Sequence, residues 1–121
     1  MPARELPSPE SLLPLPQAFF HILVALAGNE LHGYGIMQDV AGRTGGKLRL
    51  GPGTLYGSLK RMLQAGLIVE TDERPDPGSD DERRRYYRIT DFGRAVAAAE
   101  TERCAALVSQ ARARKLAPKR V

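Results

Sequence analysis

Gly51-Pro52-Gly53-Thr54-Leu55-Tyr56-Gly57-Ser58-Leu59-Lys60-Arg61-Met62-Leu63-Gln64-Ala65-Gly66-Leu67-Ile68 is the stretch from which the rest of the chain can be read. Pro52 suits the first turn of a helix, where its fixed φ is already helical and its missing N–H is not needed. Gly66 suits the position just past a helix end, and a β-rich run follows it. Between them, at about 100° per residue, Leu55, Leu59, Met62 and Leu63 form one apolar stripe. The opposite face carries Gly53, Thr54, Gly57, Lys60, Arg61 and Gln64, with Tyr56 at its edge, and holds no acid. A glycine in mid-helix costs about 1 kcal/mol against alanine, but it lets a partner come close to the backbone. An apolar back with a slender, basic, hydrogen-bonding front is what a helix in a DNA major groove requires. A surface helix with two solvated cations is the competing reading of the same residues.

Upstream, Lys47-Leu48-Arg49-Leu50 alternates and predicts a short strand. Before it, His32 to Ala41 predicts a second amphipathic helix on Ile36, Met37, Val40 and Ala41, weakened at its start by Gly33 and Gly35 and broken by Gly42 to Gly46. Asn29 to His32 reads as a turn. A first helix begins near Leu15 to Gln17 and runs to Ala27, with Gly28 as its stop. Phe19, Ile22, Leu23 and Leu26 share one face, while Phe20 and Val24 widen the apolar surface. Only Gln17 and His21 mark a polar strip, so this helix is expected to be buried on more than one side. In a chain this short the second side is assigned to another subunit. Met1 to Pro16 holds five prolines, and residues 1–14 read as a flexible arm.

Downstream, Leu67 to Thr71 reads as a strand and Asp72 to Glu82 as a loop with Pro75, Pro77 and Gly78 as turn residues. Arg83 to Ile89 reads as a second strand, with Tyr87 and Ile89 on one face and Tyr86 and Arg88 on the other. The pair makes a hairpin of the size called a wing. Thr90 or Asp91 caps a long helix to about Lys115. Its seam is Phe92, Val96, Ala99, Arg103, Ala106/Leu107 and Gln110. That seam is thin, and the helix is expected to pack against a second copy of the chain. The fold class is therefore mainly α with a small β-hairpin: a winged helix-turn-helix over residues 15–90, a C-terminal dimerisation helix over 91–115 and a basic tail over 116–121.

Composition sets the outer bounds. The 121 residues make one domain the expectation. A net charge of +4 permits an anionic partner without requiring one. The lone Cys104 excludes an internal disulfide framework and a cysteine-rich zinc site. No apolar run approaches the ~20 residues of a membrane span, and no cationic start feeds an apolar run as in a secretory signal, so a cytoplasmic protein is expected. His21 and His32 lack an acid and a nucleophile in suitable order. The loop around Asp76 to Glu82 lacks calcium-loop spacing, and Gly51 to Gly57 lacks the lysine-serine end of a phosphate loop. No catalytic residue, metal or cofactor is expected.

His32-Gly33-Tyr34-Gly35-Ile36-Met37 resembles the start of the second helix of the PadR-like transcriptional regulators. Gly53-Thr54-Leu55-Tyr56, Leu59 to Leu63 and Gly66-Leu67-Ile68 resemble that family's recognition helix and first wing strand. Arg85 to Thr90, with Gly93 following, resembles its second wing strand and the entry to its last helix. The match covers roughly residues 15 to 110, and a single C-terminal helix is similar to the smaller subfamily. The resemblance implies a homodimer that binds double-stranded DNA at an inverted-repeat operator, usually as a repressor. Effectors in the family are often small aromatic or cationic compounds. The chain departs from the family in having Gly51 where a serine or threonine cap is common. It also carries acids, Asp76, Asp80, Asp81 and Glu82, at the wing tip.

On this reading Thr54, Tyr56 and Lys60 are phosphate candidates, and Gly53, Gly57, Ser58 and Arg61 are placed to approach bases, with packing beside the apolar stripe as the alternative for Ser58. Wing contacts are limited to Arg83, Arg84 and Arg85 at its base, because the acidic tip repels phosphates. An effector pocket between the first helix and the partner's last helix would be lined by Phe19, Phe20, Leu23, Phe92, Val96 and Ala99. The plain alternative for those six residues is a dry dimer core. A winged-helix domain for protein contacts, without DNA, is the alternative function.

Overall fold

The computed structural model describes residues 5–75 and 83–117, and the side chains of 72–75 and 83 lie outside that description. The helices are α1 (Gln17–Gly28), α2 (Gly33–Arg43), α3 (Pro52–Gln64) and α4 (Asp91–Ala113). The strands are β1 (Leu31–His32), β2 (Ile68–Pro75) and β3 (Arg83–Ile89), and they form one antiparallel sheet in the order β1-β3-β2. The two-residue β1 pairs Leu31 with Tyr87 and His32 with Tyr86. It takes the place of the strand expected at Lys47 to Leu50, which is loop. The alternation there is real, with Lys47 and Arg49 exposed, Leu48 half-buried and Leu50 buried. Residues 31–32 take the edge of β3 instead, pairing with Tyr87 and Tyr86. The turn expected over Asn29 to His32 therefore ends in paired backbone.

One core joins all the elements. Ile22, Leu23 and Leu26 from α1, Ile36 and Val40 from α2, and Leu55, Leu59 and Met62 from α3 are buried. Leu67 and Ile68 close it from the hairpin side together with Tyr87 and Ile89, which share one face of β3 as the period-2 pattern requires. Gly66 ends α3 with φ +77°, the left-handed conformation that glycine adopts without a Cβ clash. Thr90 caps α4: its Oγ1 accepts the Gly93 N–H at 2.9 Å and donates to the Gly66 carbonyl at 2.7 Å. One threonine thus fixes the end of α3 against the start of α4. Gly93 leaves no room for a side chain, because a methyl there would collide with the Leu67 carbonyl.

Within the segment expected as a flexible arm, residues 9–13 pack on the rest of the chain, while residues 5–8 are exposed. Pro9–Leu12 makes one 3-10 turn against α4, and Leu12 and Leu13 lie on the core. Leu15 is buried, and its N–H donates to the Glu100 carboxylate at 2.6 Å. Glu100 is only 2% exposed, and Arg103 Nε donates to its other oxygen. The expected seam of α4 is corrected accordingly: Gly93, Val96 and Glu100 face the protein's own interior, and Arg103 is exposed. Beyond Glu100 almost every residue of α4 is exposed, including Leu107 and Val108.

The Arg103 guanidinium holds the Glu100 carboxyl below its ordinary value of 4.5; burial opposes this and the Leu15 N–H assists it. A carboxyl with a depressed folded-state pKa stabilises the fold above its unfolded pKa, and that contribution disappears as pH falls through the folded value. Stability should therefore fall on acidification below about pH 4.5. Glu100→Gln should flatten that limb and cost about 1 kcal/mol at neutral pH. Urea midpoints measured across pH for both chains check this.

Candidate nucleic-acid interface

The outward face of α3 is the one described residue by residue from the sequence. Gly53, Thr54, Tyr56, Gly57, Lys60, Arg61 and Gln64 are all exposed. Among the described residues no acid pairs with Lys60 or Arg61. A side chain added at Gly53 or Gly57 would meet nothing within 4 Å, so this ridge is open to a partner. Gly51 provides no side-chain cap, and Pro52 has no N–H. The donors of the first turn are thus left to an external acceptor, and the helix dipole adds to the attraction for an anion.

Ser58 does not belong with these residues. It is 7% exposed and lies on the buried side with Leu55 and Leu59, so it cannot approach a base. The apolar stripe is centred on positions 55, 58/59 and 62, which turns Ser58 inward and leaves Leu63 half-buried at the edge.

Tyr56 is half-exposed, yet its hydroxyl rests on another helix. A methyl on Gly33 would lie 2.6 Å from that oxygen, so the ring in this position uses the bare backbone at the start of α2 and would shift for a larger residue there. The Tyr56 ring thereby joins α3 to α2. It also lines an open hollow of about 520 Å³ with His32, Gly33, Tyr34, Arg84, Arg85 and Tyr87. Arg84 lies 3.0 Å from His32 Nε2, and its guanidinium sits 5.7 Å over the Tyr34 ring. His32 caps α2, its Nδ1 accepting the Gly35 N–H at 2.9 Å. Arg85 reaches Glu70 across the hairpin at 3.6 Å. The wing base and the start of α2 thus converge beside the outward face of α3. His32 and Tyr34 were not read as part of it from the sequence, because their partners lie some fifty residues away.

Arg83 belongs to β3, but its side chain, like the acidic loop Asp76 to Glu82, is outside the described residues. The tail beyond residue 117 is outside them too.

The expected effector pocket is corrected in two of its residues. Leu23 and Val96 are both fully buried in the chain's own core, so neither can face a second subunit. Phe19, Phe20, Phe92 and Ala99 are half-buried. Among the described residues no group of His, Cys, Asp and Glu is arranged to hold a metal ion. No described helix is long and apolar enough to cross a membrane.

The family model described as "Transcriptional regulator PadR-like family" matches residues 22–99. The chain is 42% identical over 76 residues to Transcriptional regulator Rv3488 of Mycobacterium tuberculosis, covering 63% of this chain and 64% of that protein. The chain thus spans less than two thirds of that relative. Among solved structures, a transcriptional regulator from Clostridium thermocellum superposes with a TM-score of 0.67 at 23% identity, covering 84% of this chain and 90% of the other. A PadR family regulator from Clostridium difficile gives 0.66 at 24%, covering 80% and 96%. Bacillus subtilis PadR, solved with operator DNA, gives 0.58 at 23%, covering 67% and 44%. At these identities the structural likenesses speak for the fold.

Proposed function

Since the chain belongs to the PadR-like family of transcriptional regulators, we propose that it binds an inverted-repeat operator as a homodimer, in the cytoplasm, and represses until a small aromatic or cationic effector releases it. The observation that carries the DNA reading is the exposed, acid-free ridge of α3 with open space over Gly53 and Gly57. In this reading Gly53, Gly57 and Arg61 approach base edges from the major groove. Thr54 and Lys60 take phosphates, while Arg83, Arg84 and Arg85 contact the backbone from the base of the wing. Tyr56 holds α3 to α2 and presents its ring edge beside the same phosphates.

Dimer symmetry sets two such ridges about 34 Å apart, one turn of DNA. An effector acts only by favouring one separation of the ridges over another. Phe19, Phe20, Phe92 and Ala99 remain the candidates to meet it between subunits.

The test is duplex binding measured across salt, using the region upstream of the protein's own gene. Lys60→Ala should weaken binding to every duplex and lower the slope of log K against log salt by about one unit. An unchanged slope removes Lys60 from the contact set. Failure of the parent chain to bind any duplex favours a protein-contact module.

A further inference from the structure

His32 sits where three elements meet. It is the second residue of β1, it pairs with Tyr86 of β3, and it stands immediately before α2. Its Nδ1 accepts the Gly35 N–H at 2.9 Å and so caps that helix. Arg84 Nη1 reaches the same ring from the wing, 3.0 Å from Nε2 and 3.4 Å from Nδ1. The Tyr86 ring stands nearly perpendicular to the imidazole with centroids 5.2 Å apart, and the Tyr34 ring lies parallel to it at 6.5 Å. The Arg84 guanidinium is thereby confined between the imidazole and the face of Tyr34, 5.7 Å from that ring's centroid.

A neutral imidazole has one lone pair, and two donors reach for it. Capping α2 and holding Arg84 compete for that acceptor. The histidine therefore holds the guanidinium loosely, while the face of Tyr34 limits where it can turn. Imidazole and phenol direct the cation without neutralising it. The register of the wing adds weight to this contact. Between the Glu70–Tyr87 and Glu73–Arg85 pairs, β2 carries one more residue than β3. Such a bulge bends its strand and sharpens the local twist. Arg84, opposite Arg74, lies beyond the bulge, and its side chain comes back to α2.

We propose that His32 and Tyr34 are positioning residues for Arg84, setting the direction in which this arginine leaves the wing and presents its guanidinium to a DNA phosphate. The proposal rests on the DNA-binding reading above, which gives Arg84 a backbone contact, and adds how the arginine is aimed. Fixing a long side chain costs rotamer entropy, and a guanidinium already confined between two rings loses less of it on meeting a phosphate.

The experiment is a double-variant cycle, titrated with the duplex upstream of the gene over a range of salt. Arg84→Ala should lower the salt slope by about one unit. His32→Asn keeps a capping oxygen for the Gly35 N–H but is too short to meet Arg84, so its melting should stay near that of the parent. His32→Asn and Tyr34→Leu should each weaken binding about three- to tenfold in the parent and have no further effect once Arg84 is alanine. Tyr34→Phe keeps the ring face and should bind like the parent. If His32→Asn melts early, Tyr34→Leu, at an exposed position, carries the same cycle. Losses that add in full to that of Arg84→Ala overturn the positioning role, as does tighter binding by His32→Asn, which would mean that Arg84 is held away from DNA. A Tyr34→Phe loss equal to that of Tyr34→Leu places the effect in the hydroxyl and overturns it too. An unchanged slope for Arg84→Ala beside a lowered slope for Lys60→Ala overturns the positioning role and leaves the regulator reading standing. Absence of duplex binding by the parent chain overturns both.

Discussion

A Gly57→Leu variant should fold at least as well as the parent chain and lose at least about a hundredfold in specific DNA affinity, roughly 3 kcal/mol. The two effects come from the same missing side chain. Gly57 lies in the middle of α3, where glycine is about 0.8–1.0 kcal/mol worse than a good helix former. A Cβ there would meet nothing within 4 Å in the chain itself, so the longer residue removes that cost without a clash. In a groove-bound complex, however, the space above Gly57 belongs to DNA. A branched side chain there would push the ridge away from every base edge it reads. Urea denaturation and equilibrium titration on the same preparations check both halves. A variant that is more stable and binds normally would mean that this face of α3 does not enter a groove.

Replacing Leu107 and Val108 together by aspartate should turn the proposed dimer into a monomer and cost operator affinity by a hundredfold or more. The projecting part of α4, from residue 101 onward, packs little against its own chain, and Leu107 and Val108 are 57% and 47% exposed. A helical stretch below about 15 residues is marginal in water when it has nothing to pack against. A second copy would bury these side chains, and Val24 on the outer face of α1 is exposed as well. Two half-sites bound by one linked pair gain from effective concentration, and a monomer loses that gain entirely. Light scattering gives the mass, and titration with a two-half-site duplex gives the affinity. A monomeric parent, or a double variant that remains dimeric, would move the interface away from α4.

These two substitutions differ in how visible their grounds are in the chain. The open ridge of α3 follows from local periodicity, since Leu55, Leu59 and Met62 are spaced for one face and the glycines and cations occupy the other. The wing strands follow from alternation, and Thr90 and Gly66 announce helix ends by their own chemistry. By contrast, Ser58 sits next to the apolar stripe, where spacing leaves both base contact and packing open, and only the fold buries it. Leu23 and Val96 read as apolar residues available to a partner, but both are fully buried in the core of one chain. Apolarity says that a residue wants burial and does not say by whom.

The sequence by itself determined the elements whose cause is local: three core helices, a hairpin, a long last helix and a basic, slender outward face on α3. Only the tertiary structure decided which edge receives the third strand and what Glu100 does. Residues 31–32 pair with β3, while the better-patterned Lys47 to Leu50 is loop. Glu100 looks like any solvated helical acid until Leu15, eighty-five residues away, brings its N–H to the carboxylate. Hydrogen bonds and burial between distant segments depend on the path of the backbone through space, and residue spacing along the chain carries no record of that path.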